Sequence, residues 1–240
     1  MIDVAENMAH LADGVATACA RAGRSAAGVA VVAVTKRIPL PLVVDACRAG
    51  QVCLGENRIQ DALPRQGELA ELLRGAGVGD LRFAWHFIGN LQGNKVRKAV
   101  GRFELLHAVD SLRLAERISD VAAEGSLTQP VLLEVNVGAE PQKHGLNRRE
   151  ALDAAVAASG LPGLALRGFM CMARFGAPES ELRRTFAALR GLADEAREAS
   201  GLPLPELSMG MSDDFEAAIA EGSTMIRVGT AIFGPRETAR

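Results

Sequence analysis

A lysine, an arginine, an asparagine and two small polar dipeptides stand where apolar runs of this chain end, and these residue types handle carbonyls and phosphates. Lys36 follows the uncharged run VAVVAVT at 29–35. Counting by two from Val32 and Val34 places its side chain on their face of a strand. An amine at an apolar strand end loses hydration, which lowers its pKa and makes it a better nucleophile toward carbonyls. The plainer reading is a lysine that snorkels to solvent. Arg227 and Gly229 share a strand face in the last apolar run. A buried arginine is costly without an acceptor, so Arg227 implies a carboxylate partner or a ligand atom. Gly229 and Thr230 end that run with main-chain N–H groups suited to phosphate, and Ser208, ending the run before, could add a hydroxyl. Otherwise Gly229 relieves crowding and Ser208 begins a turn. Asn57 suits a ligand oxygen, or the N-cap of a helix beginning RIQDAL. Trp85, His86 and Met170 read as packing residues. The cluster Asn94, Lys95, Arg97 and Lys98 reads as a solvated helix face that could meet an anionic ligand or partner.

Positioning these residues takes a scaffold that gathers strand ends. Eight runs predict strands: 29–35, 51–55, 84–89, 104–109, 131–137, 165–172, 205–210 and 225–229. Helical stretches fill the gaps. SLRLAERISDVAAE has Asp110 as its cap and Gly125 as its stop. A helix over 179–199 ends at Gly201, and DDFEAAIAE follows Ser212 as cap and stops at Gly222. Eight alternations in 240 residues match the rhythm of a single (β/α)8 TIM barrel, whose active sites lie at the C-terminal strand ends. A doubly wound open sheet competes, but no GxGxxG follows the first strand. Residues 1–24 predict a preceding helix that packs on the barrel, with Val4, Met8, Leu11, Val15 and Ala18 at helical spacing and Gly23 as the stop. No linker divides residues 1–240, so one domain is expected.

Composition excludes several classes. With 27 Lys+Arg against 29 Asp+Glu, the chain is neither a nucleic-acid coat nor a polybasic membrane binder. Its longest apolar run is far too short to span a bilayer, and MIDVAENMAH lacks the features of an export signal, so a cytoplasmic location is expected. The 4 cysteines form no CxxC and the 4 histidines no HExxH, so no metal site is expected. There is no tyrosine, so a tyrosyl proton donor from this chain is excluded.

Longer blocks carry a family resemblance. VAVTK (32–36), GENRIQD (55–61), WHFIGNLQGNK (85–95), HAVDS (107–111), LLEVNVGAEPQKHG (132–145), GFMCMA (168–173) and LSMGMSDDFEAAIAEGSTMIRVGTAIFG (207–234) resemble the pyridoxal 5′-phosphate (PLP) homeostasis proteins from end to end. Departures are conservative: Thr35 and Arg37 around the lysine, Arg58 where an aromatic is common, and Asn90 where histidine is usual. The resemblance implies a barrel like the N-terminal domain of alanine racemase. It implies a Schiff base between PLP and Lys36, with phosphate near Ser208, Gly229 and Thr230. Arg227 would face the ring nitrogen, Met170 would lie near the ring and Asn57 near the phenolic oxygen. It further implies a PLP holder in intracellular homeostasis, without catalytic turnover and with PLP-requiring apo-enzymes as possible recipients; a monomer is the default. The alternatives are a PLP-dependent racemase or decarboxylase, and an aldolase acting through Lys36 on a phosphosugar. Related racemases draw a tyrosine from a second domain, which is not expected here. Cys171 is the nearby substitute, and Glu56 fits an aldolase poorly because alternation turns it away from Asn57.

Overall fold

The computed structural model describes residues 2–79, 82–138 and 144–235. Each predicted run overlaps a strand: β1 (Ala30–Val34), β2 (Cys53–Glu56), β3 (Ala84–Phe87), β4 (Leu105–Val109), β5 (Gln129–Glu134), β6 (Leu164–Met170), β7 (Glu206–Ser208) and β8 (Met225–Val228). All pairs are parallel and run in chain order, and β8 pairs with β1 to close the barrel, which removes the open-sheet alternative. Parallel neighbours need crossovers, and helices supply them: α2 (Leu40–Arg48), α3 (Ile59–Gly75), α4 (Val96–Ala99), α5 (Leu112–Glu124), α6 (Arg148–Ala158), α7 (Glu179–Ser200) and α8 (Phe215–Ala220). Before them lies α1 (Val4–Arg21), and after β8 comes α9 (Thr230–Phe233).

Apolar side chains form two shells. Outward residues such as Ala33, Leu106, Val109 and Phe169 pack under the helices, while Leu105, Ala108, Leu132, Met170 and Met225 fill the interior. The Asp3 carboxylate caps α1 by accepting from Glu6 N. The buried stripe of α1, including Leu11, Val15 and Ala18, packs on α2, α8 and α9.

Two caps differ from expectation. Ser111, not Asp110, caps α5 by accepting from Leu114 N, while Asp110 accepts from Asn90 Nδ2 at 2.9 Å. Ser212 does not cap α8; Asp214 holds the cap position, and the Ser212 hydroxyl accepts from Ala231 N in α9. At α5 the tertiary partner decides which of two adjacent polar residues turns toward the helix end; at α8 neither does, since Asp214 accepts from Met211 N.

Between β6 and β7 the main chains approach unusually closely. Gly168 has φ +148°, and a Cβ there would stand 1.9 Å from Glu206 O. On its other side the register steps from Val131↔Leu166 to Leu132↔Gly168, which bulges Arg167 outward. The strand then carries Met170 level with both Glu134 and Ser208.

Candidate functional site

Lys36 sits in a tight turn immediately beyond β1, closed by Ile38 N donating to Thr35 O at 3.0 Å. Arg37 takes φ 61°, the left-handed value that reverses the chain. Both ends of the turn are clamped. Arg65 of α3 donates to Thr35 O at 3.1 Å and Ile38 O at 2.7 Å, and it pairs with Glu56 Oε1 at 3.2 Å. Thr35 Oγ1 donates to the same Glu56 oxygen at 2.9 Å. Burial pushes the Glu56 carboxyl above its ordinary value, with Thr35 and Arg65 pulling the other way. Glu56 therefore faces α3 and not the mouth, as strand alternation required.

Asn57 comes level with Lys36, because Val34 pairs with Gly55. The two line one small cleft of about 220 Å³, together with Arg37, Glu56, Arg58 and Asp61. Asn57 is not a helix cap; Arg58 occupies that position in α3. Its backbone is fixed from the next loop, where a Cβ on Gly89 would stand 2.2 Å from Asn57 O. Only glycine permits this approach.

Arg227 lies at the level of Val32 on the neighbouring strand, which carries Gly229 to the level of Val34. Arg227 is 5% exposed, its guanidinium donating to Ser208 Oγ at 2.7 Å and to Cys171 O at 2.9 Å. Of the two acceptors expected from the sequence, a carboxylate or a ligand atom, no carboxylate is among its hydrogen bonds; a hydroxyl and a main-chain carbonyl accept from it. Burial lowers its pKa, and Asp214 and Glu134 act electrostatically in the opposite sense. Met170 belongs to the interior apolar cluster, while Cys171 turns outward with Phe169. The thiol of Cys171 thus packs under the helices.

Ser208 is fully buried, below the rim where Gly229 and Thr230 begin α9. The hydroxyl that does reach that rim is Ser212, 3.3 Å from Ala231 N. Sequence reasoning had assigned Ser212 to a helix cap. It also passed over Glu134, 4% exposed and on the inward face of β5; burial and Asp110 push its carboxyl upward. The signal available was a lone acid closing the apolar run VLLE.

His86 and His107 pack inside the barrel, with His86 Nδ1 2.9 Å from His107 Nε2. Burial holds the His86 pKa down at about 4 against an ordinary 6.5. Between those values the unfolded chain binds a proton that the folded chain does not, so stability rises with pH there and falls on acidification. The expected loss between pH 7 and pH 5 is about 2 kcal/mol from this side chain. Urea titrations at the two pH values should show it as a steeper acid loss than in His86→Phe; parallel losses would refute it.

Residues 7–237 match the family described as alanine racemase, N-terminal domain. Fold and rim residues thus define a barrel of the alanine racemase N-terminal class. The pyridoxal phosphate homeostasis protein of Escherichia coli (strain K12) is 40% identical over 242 residues, covering 100% of both chains. That of Pseudomonas aeruginosa is 41% identical over 237 residues, 99% of this chain and 97% of the relative. PipY of Synechococcus elongatus, solved with PLP bound, superposes with a TM-score of 0.81 at 35% identity, covering 97% of this chain and 100% of PipY. Alanine racemase from Corynebacterium glutamicum shares the fold alone, with a TM-score of 0.64 at 19% identity over 95% of this chain and 61% of the racemase. The chain belongs to the pyridoxal phosphate homeostasis protein family.

Proposed function

We propose that this protein binds PLP at the C-terminal mouth of the barrel, on Lys36, and serves intracellular PLP homeostasis as a holder of the cofactor. The observation that carries the reading is the convergence, on adjacent strands, of the clamped Lys36 turn, Asn57, the buried Arg227 guanidinium and the first turn of α9. The donor set suits the group. When bound, PLP supplies an aldehyde that condenses reversibly with a primary amine. Lys36 provides the amine, held by a turn that Arg65 and Glu56 keep rigid. Gly229 and Thr230 offer main-chain donors to the phosphate; here Ser212 is a better placed hydroxyl than Ser208. Arg227 offers a donor to the ring nitrogen and has no proton to give up, so that nitrogen stays unprotonated and draws electrons weakly. That favours holding over carbanion chemistry. Asn57 beside Lys36 suits the phenolic oxygen, and Met170 forms part of the apolar floor.

The role as a holder fits a site inside the cell from which PLP passes to apo-enzymes, and a monomer is enough for it. Among the described residues, no helix is long and apolar enough to cross a membrane. A racemase or decarboxylase reading has one observation in its favour, the buried Glu134 carboxyl on the inward face of β5. The absorption spectrum before and after borohydride, with the labelled peptide mapped, tests the binding. A visible band that collapses onto the Lys36 peptide is expected; a colourless protein that ignores added PLP would overturn the reading. Arg227→Ala should weaken PLP retention about tenfold or more, since a charge-assisted hydrogen bond is lost. Equal affinity in a PLP titration would remove Arg227 from the site.

A further inference from the structure

Four side chains from four strands form a hydrogen-bonded file across the barrel interior. His86 (β3) meets His107 (β4) at 2.9 Å, His107 Nδ1 meets Ser208 Oγ (β7) at 2.9 Å, and Arg227 (β8) donates to that oxygen at 2.7 Å. All four are under 9% exposed, and His107 and Ser208 are fully buried. An irregularity in β4 lies beside His107. Leu106 pairs with Val131 and Val109 with Leu133, so both His107 and Ala108 stand opposite Leu132 alone. Leu106 and Val109 stay in the outer shell, and His107 turns inward.

Arg227 can only donate, so Ser208 Oγ accepts from it. The tautomer of His107 that accepts the Ser208 hydroxyl proton on Nδ1 completes the file. His107 then carries its proton on Nε2 and donates to His86 Nδ1. In this order each contact has one proton and one acceptor. Two imidazoles are a costly way to fill an apolar interior that leucines would fill well. What they supply is direction. A serine hydroxyl alone is a rotor; with its proton held by His107, its lone pair stays aimed at Arg227.

We infer that His107 is a positioning residue for Arg227, acting through Ser208 to fix the guanidinium in the orientation that meets the ring nitrogen of bound PLP. The inference rests on the PLP reading above. Cys171 O supplies the second anchor at 2.9 Å, and two anchors on different nitrogens define the plane of the fork. Burial and the nearby His86 and Arg227 keep His107 neutral, as the file requires.

Two variants of the PLP-loaded protein separate positioning from packing. His107→Asn keeps a polar atom where Nδ1 stands, and His107→Leu removes it. The readouts are the position of the visible band and the rate of PLP release into excess acceptor apo-enzyme. His107→Leu should shift the band and release PLP several-fold faster, up to about tenfold, the factor expected when a hydrogen bond between neutral groups is lost. His107→Asn should restore most of both. If His107→Leu matches wild type in band and rate, or if both variants only lower the melting temperature, the inference fails. Should His107→Leu not fold, Ser208→Ala asks the same question, and an unchanged band there overturns it. Loaded wild type with indifferent variants removes only this inference. Wild type that takes up no PLP removes the cofactor reading as well.

Discussion

Lys36→Ala should abolish borohydride-fixed PLP completely while leaving the barrel folded. The chain has 4 lysines, at positions 36, 95, 98 and 143; Lys36 lines one cleft with Asn57, and Lys95 lines a second on the side of α3 and the β3 loop. Without its Nζ no amine remains at that position. The turn itself is held by the Ile38–Thr35 main-chain bond and by Arg65 on two carbonyls. None of those bonds uses the Lys36 side chain, so the turn and the barrel should persist without it. Mass spectrometry of borohydride-treated protein reads the first effect and urea unfolding the second. A label that persists on another lysine would move the site, and an unfolded variant would make Lys36 a structural residue.

The second large effect is on the scaffold. Gly168→Ala should cost at least about 3 kcal/mol, because two penalties coincide. The backbone lies at φ +148°, and the added Cβ would stand 1.9 Å from Glu206 O and 2.8 Å from Glu206 C. Main-chain atoms cannot swing aside as a flexible side chain can, so β6 and β7 must part. That pairing aligns Met170 with Ser208, so Ser208 and the Arg227–Cys171 bond should be disturbed with it. Gly191→Ala is the control: Gly191 lies within α7, nothing stands within 4 Å of its added Cβ, and alanine favours a helix by about 0.5–1 kcal/mol. Chemical denaturation of both variants settles the matter. A Gly168→Ala protein within about 1 kcal/mol of wild type would show that the approach relaxes cheaply.

Much of the rim was legible in the sequence. Period-two alternation along VAVVAVT set the face of Lys36, and the same rule turned Glu56 away from Asn57; the clamp to Arg65 on α3 bears that out. The eight apolar runs mark eight strands because each is long enough to bury on both faces. Capping was less legible. Asp110 and Ser111 are both good caps, and the choice fell to Ser111 because Asn90 claims Asp110. At α8, Ser212 instead accepts from Ala231 N in the rim.

The sequence by itself determined where the strands lie and which residues close them, since these depend on local alternation and on motifs within single blocks; their order as a closed barrel, against an open sheet, was decided by the pairing of β8 with β1. Only the tertiary structure decided how those residues are held. Arg65 reaches Thr35 across 30 positions, and His107 reaches Ser208 across 101. His107 and Ala108 share one partner position because β4 slips its register against β5, and Gly168 must be glycine because a carbonyl from another strand fills the space of its Cβ. Such constraints arise only when the barrel closes and brings distant main chains within van der Waals distance.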